Sequence, residues 1–152
     1  ESWVAGANLN GIWTAKGELI SEQQPRAVNF AAWWDGDLLR ELLDRNVVYK
    51  WDWEASRMDT LFVAEGGASN NGTKATPGLS GDLLGDWREE VILRAEDNPR
   101  ELRLYTTTIP TEHRFVTLMA DPVYRLGIVW QNVAYNQPPH VSFFLGEGME
   151  RP

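Results

Sequence analysis

Two acidic motifs with the same spacing carry the clearest chemical signal in this sequence. Each has an acid, three further residues, a second acid and two apolar residues, at positions 37–43 and again at 86–92. Carboxylate and carbonyl oxygens are the ligands that calcium takes in sets of about 6–8. The sequence has no cysteine and only two histidines, so it lacks the ligand cluster that zinc prefers. We therefore expect the motifs to bind calcium.

In each motif, three carboxylates and one backbone carbonyl are spaced to converge on a single ion. The alternative is that Asp-Gly forms an ordinary hairpin turn and that the last Glu is a solvated strand residue. Calcium in such a loop ties a turn to the following strand and adds to the folding free energy, which does not by itself indicate catalysis. The predicted ligands are Asp35, Asp37, Leu39 and Glu41 in the first loop and Asp82, Asp86, Arg88 and Glu90 in the second, with Leu39 and Arg88 acting through backbone oxygen.

Composition excludes several classes of protein. A hydrophobic fraction of 43% and a charged fraction of 24% are ordinary for a globular chain, so we expect a packed core and no extended disorder. The formal net charge is −8 and no Lys/Arg run is present, which excludes phosphate-backbone binding. No apolar run reaches the roughly 18–20 residues of a membrane span. The chain starts with neither Met nor a basic segment, so we expect a processed or truncated product.

Short apolar or alternating runs bounded by Gly, Asn, Asp or Pro predict that β-strands position the motifs. Eight tryptophans in 152 residues favour β-structure, with a sugar-binding surface as a second use. One helix is expected after Asp121, which can cap it, with Pro122 at its first position. The predicted strands are residues 17–20, 27–33, 46–53, 60–64, 90–95, 101–106, 114–118 and 141–145.

The spacing of the motifs predicts the architecture. They lie 49 residues apart, which is typical of propeller blades that contain several strands each. The 152 residues would form about three blades, whereas propellers close with about 4–8. Since three blades would leave exposed sheet edges, we expect an all-β chain that is a fragment of a larger β-propeller. Residues 66–81 form a long, small and polar loop, and such loops are commonly functional.

Five segments extend this interpretation. They are Asn70-Asn71-Gly72-Thr73-Lys74-Ala75-Thr76-Pro77 and the segments 82–91, 121–125, 130–140 and 143–146. Together they closely resemble the C-terminal part of bacterial rhamnogalacturonan lyases of polysaccharide lyase family 11, over nearly the whole chain. The resemblance implies an eight-bladed β-propeller with bound calcium, of which residues 1–152 are the C-terminal part of the catalytic domain. It also implies cleavage of the pectin backbone rhamnogalacturonan I by β-elimination.

The resemblance also implies roles for individual residues. The acidic motifs carry over as calcium sites, and Asn132 and Ala134 are implied ligands of another calcium. Trp33 stands where the fuller first motif has Asp, which predicts a weaker site there. Cleft residues that the family takes from earlier blades have no counterpart here, so the chain alone could bind without turnover. The implied substrate-cleft residues are Asn71, Gly72, Thr73, Lys74 and Tyr135.

β-Elimination at galacturonate removes the C5 proton and expels the O4-linked rhamnose, leaving an unsaturated uronate. The substrate carboxylate must be neutralised by calcium or a cationic side chain, and a base must reach the proton. Lys74 could be the carboxylate partner, or the base if its pKa were lowered. Tyr135 could stack on a sugar, donate a hydrogen bond or protonate the leaving oxygen. These two residues are the catalytic candidates.

Two alternatives to a lyase stay open. One is a non-catalytic, calcium-stabilised propeller or sandwich module that binds polysaccharide or another protein. The other is an inactive paralogue or truncated product that folds with a companion chain. For the lyase we expect a secreted protein with rhamnogalacturonan I as substrate. Its partner would be the rest of the propeller, as a preceding segment or a companion chain, with no nucleic acid or membrane partner.

Overall fold

The computed structural model describes residues 10–133 and 136–149, and its regular structure is mostly antiparallel β-sheet. No helix in these ranges is long and apolar enough to cross a membrane. The strands are β1 (Ile12–Trp13), β2 (Leu19–Ser21), β3 (Ala31–Ala32), β4 (Glu41–Asp44), β5 (Val47–Asp52), β6 (Arg57–Val63), β7 (Gly67–Ala68), β8 (Leu79–Gly81), β9 (Glu90–Ala95) and β10 (Leu102–Tyr105). A 3-10 turn (Leu118–Ala120) leads into the helix α1 (Pro122–Trp130).

The strands form three sheets. The first sheet is a meander of four consecutive strands, β3-β4-β5-β6, in which Leu43 of β4 faces Val48 of β5. In the second sheet β9 is central, with β10 on one side and both β7 and β8 on the other. β1 and β2 form a separate two-stranded sheet. The fold is all-β and mostly antiparallel, and within the described ranges no sheet closes on itself.

One hydrophobic core joins the two four-stranded sheets. Leu43 and Val48 enter it from the first sheet, and Val91 and Leu93 enter it from the second. Burial along β9 follows the period of two expected when one face of a strand packs inward. Within this core, Trp34 stacks on Phe62 of β6 with ring centroids 5.1 Å apart. The sheets therefore form one packed unit.

A second core lies beneath the two acidic loops and α1. Trp33 and Trp87, one from each loop, pack in it with Leu118 and Tyr124. The helix begins as the sequence predicts, because the side chain of Asp121 accepts a hydrogen bond from the N–H of Val123 at 2.9 Å. This core fixes the loops against the helix.

The structure confirms several predicted elements and corrects others. Strand 90–95 has the predicted bounds, and β5, β6, β10 and α1 lie where the pattern placed them. The predicted strands 114–118 and 141–145 were wrong, because neither segment pairs with a strand. Thr117 instead caps the 3-10 turn through its hydroxyl. β4 was missed because its first residue belongs to an acidic motif, and β7 and β8 lie inside the predicted loop.

Candidate functional site

The first acidic motif folds around its own backbone. The Oε2 atom of Glu41 accepts hydrogen bonds from the N–H groups of Trp34 at 2.9 Å and Asp35 at 3.2 Å. Asp35 Oδ1 accepts from the N–H of Asp37 at 2.9 Å. Asp37 Oδ1 accepts from the N–H of Leu39 at 2.8 Å. One oxygen of each carboxylate is thus used to hold the loop.

The second motif repeats this arrangement at the positions 49 residues later. Glu90 Oε2 accepts from the N–H groups of Leu83 at 2.9 Å and Leu84 at 3.0 Å. Asp86 Oδ1 accepts from the N–H of Arg88 at 3.1 Å. Glu41 and Glu90 are each the first residue of a strand. The repeat seen in the sequence is therefore a repeat of hydrogen bonds that tie a turn to the strand that follows.

The carboxylates of Asp35, Asp37 and Glu41 converge. One oxygen from each lies within 4.8 Å of the others, so this cluster could hold a metal ion. The ammonium group of Lys50, on β5, lies among them. It contacts Asp35 Oδ2, and it lies 2.5 Å from Asp37 Oδ2 and 3.5 Å from Glu41 Oε1. Sequence reasoning missed Lys50.

Electrostatics in this cluster follow from burial and from the charge balance. Burial raises the pKa of Glu41 to about 7, against the lowering effect of the N–H donors of Trp34 and Asp35. For Lys50, burial disfavours the charged form, but hydrogen bonds to Asp35 and Asp37 outweigh it and hold its pKa above the ordinary value. The ammonium is therefore charged at neutral pH.

The carboxylates of the second motif are directed to different partners. Asp82 Oδ2 accepts from the hydroxyl of Thr117 and the N–H of Leu118, both at 2.7 Å. Asp86 pairs with Arg88 at 2.6 Å. In the described part of the chain, the three carboxylates of this motif do not form a cluster like that of the first. The carbonyls of Leu39 and Arg88, predicted as ligands, are untested.

A buried ion pair connects the two motifs. Arg40 and Glu89 occupy equivalent positions in the two repeats and lie 3.2 Å apart. Arg40 also stacks over the ring of Trp33 at 3.9 Å from its centroid. Glu89 is fully buried and accepts a hydrogen bond from the hydroxyl of Tyr124 at 2.7 Å. Arg40 and Glu89 are separated by the same 49 residues as the two motifs, and this spacing in the sequence could have indicated the pair.

The predicted substrate loop is folded by Asn71. Its side-chain oxygen accepts from the N–H groups of Lys74 at 2.7 Å and Ala75 at 3.2 Å, which closes a tight turn. Ala75 is buried with a φ of 55°, and its carbonyl accepts from the N–H of Arg45 at 3.0 Å. Gly72 and Thr73, like Asn71 and Lys74, are exposed. The loop therefore presents polar side chains on an anchored turn.

A group of three amides fastens this loop to the segment after α1. Asn132 Oδ1 accepts from the amide of Asn70 at 2.9 Å and from that of Asn136 at 3.2 Å. The amide of Asn132 donates to the carbonyl of Gly78, and Asn136 donates to that of Pro77 at 2.8 Å. We call Asn70, Asn132 and Asn136 the amide clasp. Its amide contacts all lie within the chain, and calcium binding at Asn132 stays a prediction.

Two predicted site residues, Ala134 and Tyr135, lie outside the described residues. Asn132, two residues before Ala134, and Asn136, directly after Tyr135, are both hydrogen bonded to the loop. The structure thus anchors the loop that carries Asn71 and Lys74 to Asn132 and Asn136.

A groove of about 720 Å³ lies beside the first acidic cluster. Its walls include Trp51 of β5, Trp53 in the turn after β5, Arg26 and Phe144. The two indole rings meet edge to face with centroids 6.4 Å apart, and Trp53 is 41% exposed. Both tryptophans therefore border the groove.

Comparison with known proteins identifies the class to which this fold and this site belong. The whole chain, residues 1–152, matches the family model described as rhamnogalacturonan lyase family 11, C-terminal domain. The chain belongs to this family.

Two curated relatives come from Bacillus subtilis (strain 168). Rhamnogalacturonan endolyase YesW is 60% identical over an alignment of 153 positions, which covers 100% of this chain and 24% of YesW. Rhamnogalacturonan exolyase YesX is 58% identical over an alignment of 150 positions, which covers 93% of this chain and 24% of YesX. The chain therefore spans about a quarter of the length of the relatives that it matches.

Solved structures agree with the sequence comparison. The crystal structure of YesW superposes with a TM-score of 0.89 over 95% of this chain and 24% of that one, at 60% identity. Bacillus licheniformis rhamnogalacturonan lyase PL11 superposes with a TM-score of 0.90, covering 95% of this chain and 24% of that one, at 61% identity. The fold described above is that of the corresponding quarter of these lyases.

Proposed function

We propose that this chain supplies part of the substrate cleft of a rhamnogalacturonan lyase that acts by β-elimination at galacturonate. The observation that carries the proposal is the exposed polar loop of Asn71 and Lys74, which Asn132 and Asn136 of the amide clasp anchor. The family membership of the whole chain supports the same activity. Anchoring matters because a cleft residue acts only when it is held in a fixed geometry.

In the proposed reaction, the C5–H and C4–O4 bonds break and a C4=C5 double bond forms. The proton goes to a base, and the rhamnose oxygen leaves and is protonated. Negative charge accumulates next to the galacturonate carboxylate, and a cation there stabilises the transition state. We assign Lys74 to that carboxylate contact, and Asn71 and Thr73 to hydrogen bonds with the sugar. Tyr135 is the proposed donor to the leaving oxygen.

The same proposal covers the wider architecture. The three described sheets would be three successive blades of a propeller, with the earlier blades in another part of the protein. A polymeric pectin substrate is accessible outside the cell, so we propose that the protein is secreted. The resemblance also implies calcium. Lys50 already lies within the acidic cluster that could hold a metal ion, so the proposed reaction does not use calcium at that cluster.

A second candidate function has its own observation. The groove beside the first sheet exposes aromatic side chains, Trp53 among them, and aromatic faces stack on sugar rings. A non-catalytic polysaccharide-binding module would use this groove and would not need Lys74. The two functions can therefore be separated by one set of variants.

The test measures ultraviolet absorbance of unsaturated uronate released from rhamnogalacturonan I by the longest protein that carries this chain. Homogalacturonan is the substrate control. Lys74→Met should lower the rate about 10–100-fold, since a hydrogen bond to a charged group contributes about 1.5–3 kcal/mol. Lys16→Met, at another exposed lysine, should leave the rate unchanged.

Three results would contradict the proposal. An unchanged rate in Lys74→Met would remove Lys74 from the cleft. Release of unsaturated uronate from homogalacturonan alone would show that rhamnogalacturonan I is not the substrate. Binding of rhamnogalacturonan I without any unsaturated product, weakened by Trp53→Ala and not by Lys74→Met, would establish the binding module instead.

A further inference from the structure

The first acidic motif is closed around a cation of its own chain. Asp35, Asp37 and Glu41 each use one carboxylate oxygen to accept backbone N–H groups of the loop. The other oxygen of each faces the ammonium of Lys50. Each of the six carboxylate oxygens therefore has a partner within the motif or on β5.

The ammonium and a calcium ion would need the same space. Calcium lies about 2.3–2.6 Å from its oxygen ligands. The nitrogen of Lys50 lies 2.5 Å from Asp37 Oδ2 and also contacts Asp35 Oδ2. An ion could enter only if the lysine left.

Strand pairing fixes the lysine in this position. Leu42 of β4 faces Tyr49 of β5 and Leu43 faces Val48, so one step further along the same register Glu41 faces Lys50. Directly opposed residues of an antiparallel pair have neighbouring side chains. The pairing of β4 with β5 therefore places Lys50 beside Glu41.

The second motif supplies an independent parallel. Asp86, the equivalent of Asp37, pairs at 2.6 Å with the guanidinium of Arg88. Both motifs thus satisfy their central aspartate with a cation from the chain, although the two cations come from different positions. In the first motif the cation comes from the neighbouring strand, and in the second it comes from the motif itself.

We propose that Lys50 is the resident cation of the first acidic motif, taking the place that the family resemblance gives to calcium there. The loop then holds its turn without a divalent ion. This assignment does not depend on the proposed lyase activity, since it concerns what binds to three carboxylates.

The experiment counts bound calcium by isothermal titration, using the longest protein that carries the chain. Asp37→Asn should leave the number of bound calcium ions unchanged from wild type. Lys50→Met should gain one calcium equivalent, which the double variant Lys50→Met/Asp37→Asn should lose. Terbium, excited through the tryptophans beside the loop, should report the same gain as luminescence. Lys16→Met is the matched control and should gain none.

Two outcomes would overturn the proposal. Loss of one calcium equivalent in Asp37→Asn would mean that the wild-type loop binds the ion. A folded Lys50→Met that gains no ion would mean that the ammonium is not what excludes it. If Lys50→Met does not fold, the comparison of wild type with Asp37→Asn decides alone, and Lys50→Arg should remain folded in excess chelator.

Discussion

At the scale of the residue, Glu89 shows how this chain accommodates buried charge. Its carboxylate is fully buried and accepts hydrogen bonds from Tyr124 at 2.7 Å and from the N–H of Trp33 at 3.0 Å. Among the described residues, its ion-pair partner is Arg40 at 3.2 Å. Burial raises the pKa of Glu89, while Arg40 and Tyr124 lower it. Loss of Arg40 would therefore leave the fully buried carboxylate of Glu89 without this ion pair.

Arg40→Met should destabilise the protein by about 3–5 kcal/mol, since removing one partner leaves an uncompensated buried charge. Adding Glu89→Gln should restore part of that loss. Losing Arg40 raises the pKa of Glu89 in the folded protein further above its value in the unfolded chain. A carboxyl with a raised folded pKa favours the folded state at low pH, and this contribution to stability is lost as pH rises. The difference from wild type should therefore shrink as pH falls from 8 to 5. Urea unfolding at several pH values measures this, and a constant difference would contradict it.

At the scale of the element, the amide clasp is the contact that turns a long loop into an anchored one. Asn132→Ala removes a donor to Gly78 and an acceptor for Asn70 and Asn136. Each such hydrogen bond contributes about 1 kcal/mol, so exchange of the loop amides of Lys74 and Ala75 should accelerate about fivefold or more.

Hydrogen exchange measured by mass spectrometry tests the clasp, with the amides of β9 as an internal reference that should not change. Val133→Ala is the matched control, since Val133 is adjacent and 75% exposed. Equal protection of the loop in Asn132→Ala and wild type would show that Asn71 alone orders it.

Elements with a local cause were predictable from the sequence. β9 alternates buried and half-buried positions from Val91 onward, and α1 has Asp121 and Pro122 at its start, so both were found. Segment 114–118 has the same composition as a strand, but strand formation requires a partner that composition does not reveal. Lys50 was missed for a similar reason, because its approach to Glu41 depends on the register of β4 against β5.

The candidate site divides along the same line. A polar loop around Asn71 was predicted from local residue types, whereas the turn that the Asn71 side chain closes was not. A link between each acidic motif and the following strand was expected through calcium, and the link in the structure is made by hydrogen bonds of Glu41 and Glu90. The clasp depends on contacts such as that of Asn132 with Gly78, which are distant in sequence. Residue types and spacing indicated which segments matter, while long-range pairing decided what their side chains bind.

At the scale of the whole molecule, the core between the two four-stranded sheets determines whether the repeats behave as separate units. Leu43 from the first sheet and Leu93 from the second are both buried and belong to the same cluster. The Arg40–Glu89 pair adds a polar link across the same boundary. We therefore expect both sheets to unfold in a single cooperative transition.

Leu43→Ala and Leu93→Ala should each destabilise the protein by about 2–5 kcal/mol, because each removes buried methyl groups and leaves a cavity. Both variants should keep one transition in urea, followed in parallel by tryptophan fluorescence and by far-ultraviolet circular dichroism. Leu102→Ala, on β10 and 70% exposed, is the control and should change stability by less than about 0.5 kcal/mol. Two separated transitions in Leu93→Ala, with the first sheet still folded, would mean that each repeat is stable without the other and that the shared core only joins them.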